Sequence, residues 1–220
     1  AYLELKKEKI KNIINYLVIN KMKIIKQGAE AIIKLSKNKI IKERIKKGYR
    51  INEIDKKLRK TRTKREGNTL RKATFINVPK VYSIDDQKMI IEMEYIKGML
   101  LKDFLNKNDL SEILKISQVI GDKIAKLHEN NIIHGDLTTT NIIIQEDKPY
   151  FIDFGLAFYS HKAEDKAVDI YLLKQALSSG FPQIGEQMFN IILQGYHGKR
   201  NKEVIERLKK VEKRGRYKNA

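Results

Sequence analysis

The chain has 220 residues, 41% of them hydrophobic, enough to bury a core in one two-lobed domain or two small ones. It has no cysteine, which excludes a disulfide frame and thiolate metal sites, and no uninterrupted apolar run approaches the length of a membrane span. The formal net charge of +19 is uneven: residues 1–72 carry 24 Lys and Arg against 7 Asp and Glu, residues 73–198 carry 12 against 17, and residues 199–220 carry 10 against 3. Basic ends around an acidic middle point to a polyanion at one face, nucleic acid first among the candidates, and to magnesium chemistry elsewhere. A lysine-rich run is equally a solvated helix face.

In chain order, AYLELKKEKIKN begins at Ala1 and is charged throughout, unlike a signal peptide, and a cytoplasmic protein is expected. Ile10, Ile13, Ile14 and Leu17 share a helical face, so residues 1–21 read as an amphipathic extension or linker. KIIKQGAEAIIKLS, the turn SKN and KIIKERI predict strands, with Gly28 the one glycine of the first turn and Lys42 on the third strand. RTKREGNTLRKA reads as helix and holds Glu66, the lone acidic residue between Asp55 and Asp85. KMIIEMEYIKG predicts a buried strand leading into a linker. SEILKISQVIGDKIAKLHENN places Ile113, Ile116, Ile120, Ile124 and Leu127 at helical spacing, with Ser111 the expected N-cap. KAVDIYLLKQAL is helical, and the tail begins with an amphipathic helix on Val204, Ile205, Leu208 and Val211 before a basic end with Arg214, Arg216 and Lys218. That end suits RNA phosphates, or is simply a solvated terminus.

The sharpest chemical signal is HGDLTTTNIIIQE followed by YFIDFG. His134, Asp136 and Asn141 match H-x-D-x-x-x-x-N, and Asp153, Phe154 and Gly155 supply D-F-G, twelve residues from Asn141 to Asp153. Either motif alone has a second reading as a buried strand with a polar turn; the registered pair resembles the catalytic centre of a protein kinase. Phosphoryl transfer needs a carboxylate near the acceptor hydroxyl and oxygen ligands for magnesium beside the phosphates. The resemblance makes Asp136 the catalytic base and Asn141 and Asp153 the metal ligands. It makes Lys42 the lysine on the ATP phosphates with Glu66 as its partner. Gly28 then lies in the phosphate-covering loop, Met93 at the rear of the adenine pocket, and Glu94 and Ile96 offer backbone groups to adenine. His134 buttresses the catalytic loop. The remaining histidines lack metal-ligand spacing, and no zinc is expected.

HGDLTTTN, IDFGLAF, EDKAVDIYLLKQAL, KKGYRINEIDKKLRKTRTKRE and RGRY together resemble one family, the small atypical protein kinase of the KEOPS complex, also called PRPK, from about Met22 to the C-terminus. The resemblance implies an α+β, reduced two-lobed kinase-like fold, with an N-lobe over residues 22–96 and a mostly helical C-lobe over residues 97–220. It implies ATP and Mg2+ as cofactors, and an ATP-dependent serine/threonine kinase or ATPase supporting threonylcarbamoyladenosine (t6A) modification of tRNA. Its implied partners are the t6A catalytic subunit, other KEOPS subunits and tRNA. Some members are fused behind that catalytic subunit, which would account for the extension before Met22. The resemblance also carries Asp169 over as an anchor of the catalytic loop. Two departures from ordinary kinases stand out. Gly135 replaces the arginine that reads an activation-loop phosphate, and only nine residues separate Gly155 from Asp165, with no A-P-E motif. The alternatives are a small-molecule phosphotransferase of kinase-like fold and a non-catalytic RNA- and protein-binding scaffold.

Overall fold

The computed structural model describes residues 22–28, 30–198 and 200–216. The extension 1–21, with its expected apolar face, and Lys218 lie outside the described residues. Two compact units make up the described chain: residues up to Thr63 with Val81–Tyr95, and Lys64–Lys80 with the residues from Ile96 onward.

In the first unit, β-branched runs form β1 (Lys23–Gln27), β2 (Ala31–Ser36), β3 (Lys39–Arg44), β4 (Val81–Asp85) and β5 (Ile90–Glu94), an antiparallel sheet in the order β1-β2-β3-β5-β4. Lys37, at φ 55°, turns the chain from β2 into β3. The β3–β5 register sets Lys42 opposite Ile91 and Ile40 opposite Met93. Residues directly opposite each other share a face, so Lys42 stands on the same face as the buried Ile91 and Met93.

Helix α1 (Asn52–Lys72) begins in this unit and passes its residues from Lys64 onward to the second. The KGYR segment ahead of it is tied down by two acids. The Lys47 amide donates to Asp55 Oδ1 at 3.2 Å and Arg59 Nε to Asp55 Oδ2 at 2.6 Å. Arg50 and Arg62 donate to Glu30 at 3.0 and 2.8 Å. Burial alone would raise the Asp55 carboxyl, but the Arg59 guanidinium and the Lys47 amide hold it below the ordinary carboxylate value.

The second unit contains α2 (Leu101–Lys107), α3 (Leu110–Glu129), α4 (Ala163–Gly180), α5 (Gly185–Gly195) and α6 (Asn201–Arg216). Its short strands are β6 (Met99–Leu100), β7 (Ile132–Ile133), β8 (Ile142–Gln145), β9 (Lys148–Phe151) and β10 (Phe158–Tyr159), paired as β6-β8-β9 and β10-β7. The N-cap of α3 corrects the sequence expectation. Asp109, not Ser111, caps the helix: its Oδ1 accepts from the Glu112 amide at 3.0 Å and from the Ser111 hydroxyl at 2.8 Å. Ser111 sits inside the first turn and supports the cap that was expected of it.

The isoleucine stripe of α3 is buried as its spacing predicts, with Ile120, Ile124 and Leu127 at 0% exposure. It packs against α5, while α6 packs against α4 through buried Val204, Leu208 and Val211. Among the described residues no helix is long and apolar enough to cross a membrane.

The α3–α5 crossing depends on two glycines. A Cβ on Gly121 would lie 2.1 Å from the Ile192 carbonyl oxygen, and one on Gly195 would lie 2.2 Å from that of Gln118. Gly121→Ala is therefore expected to force the helices apart and cost about 1–3 kcal/mol, read as a lower urea midpoint at unchanged slope.

Candidate active site

The loop between β7 and β8 carries no regular backbone ladder, so its amides need other acceptors. Asp169, on α4 and fully buried, supplies them: its Oδ2 accepts from the His134 amide at 2.8 Å and its Oδ1 from the Gly135 amide at 2.9 Å. His128 Nε2 lies 3.2 Å from Asp169 Oδ2, and His128 Nδ1 lies 2.9 Å from the Tyr196 hydroxyl. A carboxylate only accepts, so Nε2 donates; in the neutral ring this leaves Nδ1 to accept the tyrosine proton. Burial alone would raise the Asp169 carboxyl, but the hydrogen bonds from the His128 ring and the His134 amide hold it below the ordinary value. The Tyr196 hydroxyl moves the other way, raised by burial and by the negative charges of Asp169 and Glu129.

Gly135 sits at φ +78°, and a Cβ there would lie 2.6 Å from the Leu156 carbonyl oxygen. Both facts demand glycine. His134 joins the loop to the strand behind it. One tautomer serves both of its contacts, with Nε2 donating to the Ile152 carbonyl at 3.0 Å and Nδ1 accepting from the Asp136 amide at 3.3 Å.

Asp136 and Asn141 are locked together. Asn141 Nδ2 donates to the Asp136 carbonyl at 2.8 Å and to Asp136 Oδ2 at 2.9 Å. With its amide hydrogens spent on Asp136, Asn141 presents Oδ1 as an acceptor, and Asp136 retains Oδ1. Neither oxygen has a protein hydrogen-bond donor among the described residues. The Ile152 amide donates to the Asn141 carbonyl at 3.0 Å, which registers Asp153 beside Asn141. Asp153 is left-handed at φ 62°, ψ 63°, and its Oδ1 accepts from the Gly155 amide at 3.4 Å ahead of a 3-10 turn. An aspartate tolerates this backbone better than most residues. An amide oxygen and a carboxylate suit a hard cation that keeps other oxygen ligands, so Asn141 and Asp153 fit magnesium. Among the described residues no cluster of three or more His, Cys, Asp or Glu could hold a metal by itself.

Lys42 is 6% exposed on β3 and Glu66 1% exposed on α1, and each is engaged by a partner. Lys34 sits on β2 in an ion pair with Glu43 at 2.6 Å. Gly28 closes the β1–β2 turn by donating its amide to the Ala31 carbonyl at 2.9 Å, and a Cβ there would meet only an ordinary contact at 3.6 Å. Met93 is buried and Glu94 half-buried at the end of β5; Ile96 is buried just beyond it. Arg214 is not on a free end. It lies in α6, with its guanidinium on Glu164. Arg216 is within the same helix, and its side chain lies outside the described residues. Sequence reasoning missed the roles of His128 and Tyr196. The available signal was His128 one position beyond Leu127, extending the buried stripe with a polar group that needs a partner.

A family model described as the RIO domain matches residues 10–171. KEOPS complex subunit Bud32 of Pyrococcus abyssi is 48% identical over 212 residues, covering 89% of this chain and 96% of that one. The chain belongs to the Bud32 family of RIO-domain proteins. A further relative, the probable bifunctional tRNA threonylcarbamoyladenosine biosynthesis protein of Methanosphaera stadtmanae, is 44% identical over 81% of the chain, which spans 33% of that longer protein. Among solved structures, aminoglycoside phosphotransferase APH(2'')-IIa with streptomycin and ATP superposes at a TM-score of 0.61 and 14% identity, covering 91% of this chain and 87% of that one. At that identity the likeness speaks for the kinase-like fold alone.

The Asp169 network should reveal itself in acid. A carboxyl whose folded pKa is depressed contributes stability that is fully present above its unfolded value, about 4, and is lost as pH falls through the folded value. Asp169→Asn is expected to cost about 1–3 kcal/mol at neutral pH, with the deficit shrinking below about pH 4, read from urea midpoints across that range.

Proposed function

We propose that the chain is an ATP-dependent phosphoryl-transfer enzyme, an atypical serine/threonine kinase or ATPase, and the kinase-type subunit of a KEOPS assembly that supports t6A modification of tRNA. The observation that carries the chemistry is the Asp136–Asn141 pair: one carboxylate oxygen is pinned by an amide and the other keeps no protein donor among the described residues. Asp136 Oδ1 accepts the proton of the attacking hydroxyl, from serine, threonine or water. The new O–P bond forms as the bond between the γ-phosphorus and the β–γ bridging oxygen breaks, and ADP leaves with its charge. Asn141 Oδ1 and the Asp153 carboxylate would hold magnesium, which when bound neutralises charge on the phosphates.

Lys42 and Glu66 are proposed as nucleotide-site residues, since each is a buried charge and burial is tolerated only with a partner. The KEOPS assignment rests on family membership and on the names of the relatives. Partners proposed on that basis are the t6A catalytic subunit and tRNA. The aminoglycoside phosphotransferase likeness lends no weight to a small-molecule acceptor.

Asp136→Asn is expected to lower ATP turnover by about 10²–10⁴-fold with nucleotide affinity retained. The assay separates free phosphate from phosphoprotein, with and without the t6A catalytic subunit and tRNA. Free phosphate stimulated by tRNA means a partner-coupled ATPase, phosphoprotein means a kinase, and wild-type turnover equal to that of the variant would leave only a scaffold. A second expectation concerns the basic end: deletion of residues 213–220 weakens tRNA affinity and flattens its dependence on salt, and unchanged titrations at two ionic strengths would remove that end from the RNA contact.

A further inference from the structure

A cavity of about 460 Å³ opens in the second unit where the end of α3, the start of α4 and the approach to α6 converge. It lies away from Asp136, Asn141 and Asp153, none of which lines it, and the phosphoryl-transfer chemistry makes no use of it. Its wall includes Lys166, Arg200, His161, His128 and Asn131, with Glu129 as the carboxylate among the described lining residues.

Lys166 is the unusual member. It is 5% exposed, and its ammonium, with three donors to place, has one hydrogen-bond partner among the described residues, the neutral amide oxygen of Asn131 at 3.1 Å. Burial and the charge of Arg200 hold this ammonium below the ordinary lysine value, with Glu203 and Glu129 acting against them from a distance. A buried cation keeps its charge at low cost only beside a counter-charge. Arg200 is held firmly at the same wall. Its Nε and Nη2 rest on Glu203 at 2.8 and 2.9 Å, and Nη1 donates to the His161 carbonyl at 3.3 Å. Two cations, one of them buried with no anionic hydrogen-bond partner, therefore face a polar cavity of small-molecule size.

The wall also reaches the catalytic loop. His128 and Tyr196 line the cavity, and His128 is the imidazole that bonds the Asp169 carboxylate holding the His134 and Gly135 amides.

We propose that this cavity binds a phosphate-class oxyanion between Lys166 and Arg200, and that its occupancy is transmitted to the catalytic loop through Tyr196, His128 and Asp169. The transmission rests on the phosphoryl-transfer reading of that loop; the binding does not.

The test measures inorganic phosphate binding to the full chain by equilibrium dialysis, with a non-hydrolysable ATP analogue and magnesium at saturation to occupy the nucleotide site. Saturable binding that survives the analogue is expected, weakened about ten- to hundredfold by Lys166→Met and reduced also by Arg200→Gln, which keeps the test open should the first variant fold poorly. Phosphate displaced by the analogue, absent, or bound by both variants as tightly as by the wild type overturns the site. A parallel arm with glycerol 3-phosphate identifies the source: tighter binding than inorganic phosphate assigns a phosphate ester, weaker binding the free ion. Phosphate should shift the His128 ring nitrogen resonances in the wild type and not in Lys166→Met. Binding without that shift overturns the transmission and leaves the phosphoryl-transfer reading intact, because that reading is judged by Asp136→Asn.

Discussion

One buried carboxylate organises the second unit. Asp169 collects two peptide N–H groups and an imidazole, and among the described residues it is the acceptor for the His134 and Gly135 amides. Charge matters as much as geometry here, because a buried anion is tolerated when several donors converge on it and is costly when they do not. From that fixed point the order passes along the chain by short steps. His134 ties the loop to Ile152, Asp136 leans on His134, Asn141 clasps Asp136, and the Asn141 carbonyl holds the amide next to Asp153. The two groups proposed for magnesium and the proposed base are thus positioned by one anchor on a different element.

How much of this the sequence disclosed depends on distance along the chain. H-x-D-x-x-x-x-N and D-F-G are local, so their spacing is visible, and the isoleucines of α3 announce their face by a helical period. The strand position of Lys42 follows from the β-branched run KIIKER. Asp169 is another matter. Its partners are 34, 35 and 41 residues away, and no local pattern says that His128 will reach it; only the family resemblance named Asp169 at all. The Asp109 cap shows a subtler limit. Both Asp109 and Ser111 offer a side-chain oxygen near the start of α3, and composition does not say which will cap. The carboxylate wins because it accepts from the Glu112 amide and the Ser111 hydroxyl together.

Charge counted along the sequence overstates the cation available to a polyanion. Within the first unit Arg50, Arg59 and Arg62 are committed to Glu30 and Asp55, and the two acids are stabilised in their charged form by that commitment. These residues secure the KGYR segment against the first turns of α1. Among the described residues, the basic groups left for a partner are those with no acid bonded to them, such as exposed Lys56, Lys57, Lys64, Arg65 and Arg71. The cations free to meet a polyanion are therefore fewer than the 46 Lys and Arg of the sequence.

The same packing bears on regulation. Many kinases place an arginine next to the catalytic aspartate and use it to read a phosphate on the activation segment. Here position 135 has a positive φ, and the Leu156 carbonyl occupies the space a side chain would need, so an arginine would have to displace the segment it is meant to read. That segment is also short, with residues 156–162 between D-F-G and α4. Ser160 bonds Asp165 within the first turn of that helix, and the Ser160 amide bonds the Asn131 carbonyl at the end of α3. A loop held so closely leaves little to be ordered by a phosphate. The loop's fixed point is instead its anchor, and Asp169 is reached by His128, which bonds Tyr196, and both of these residues line a cavity.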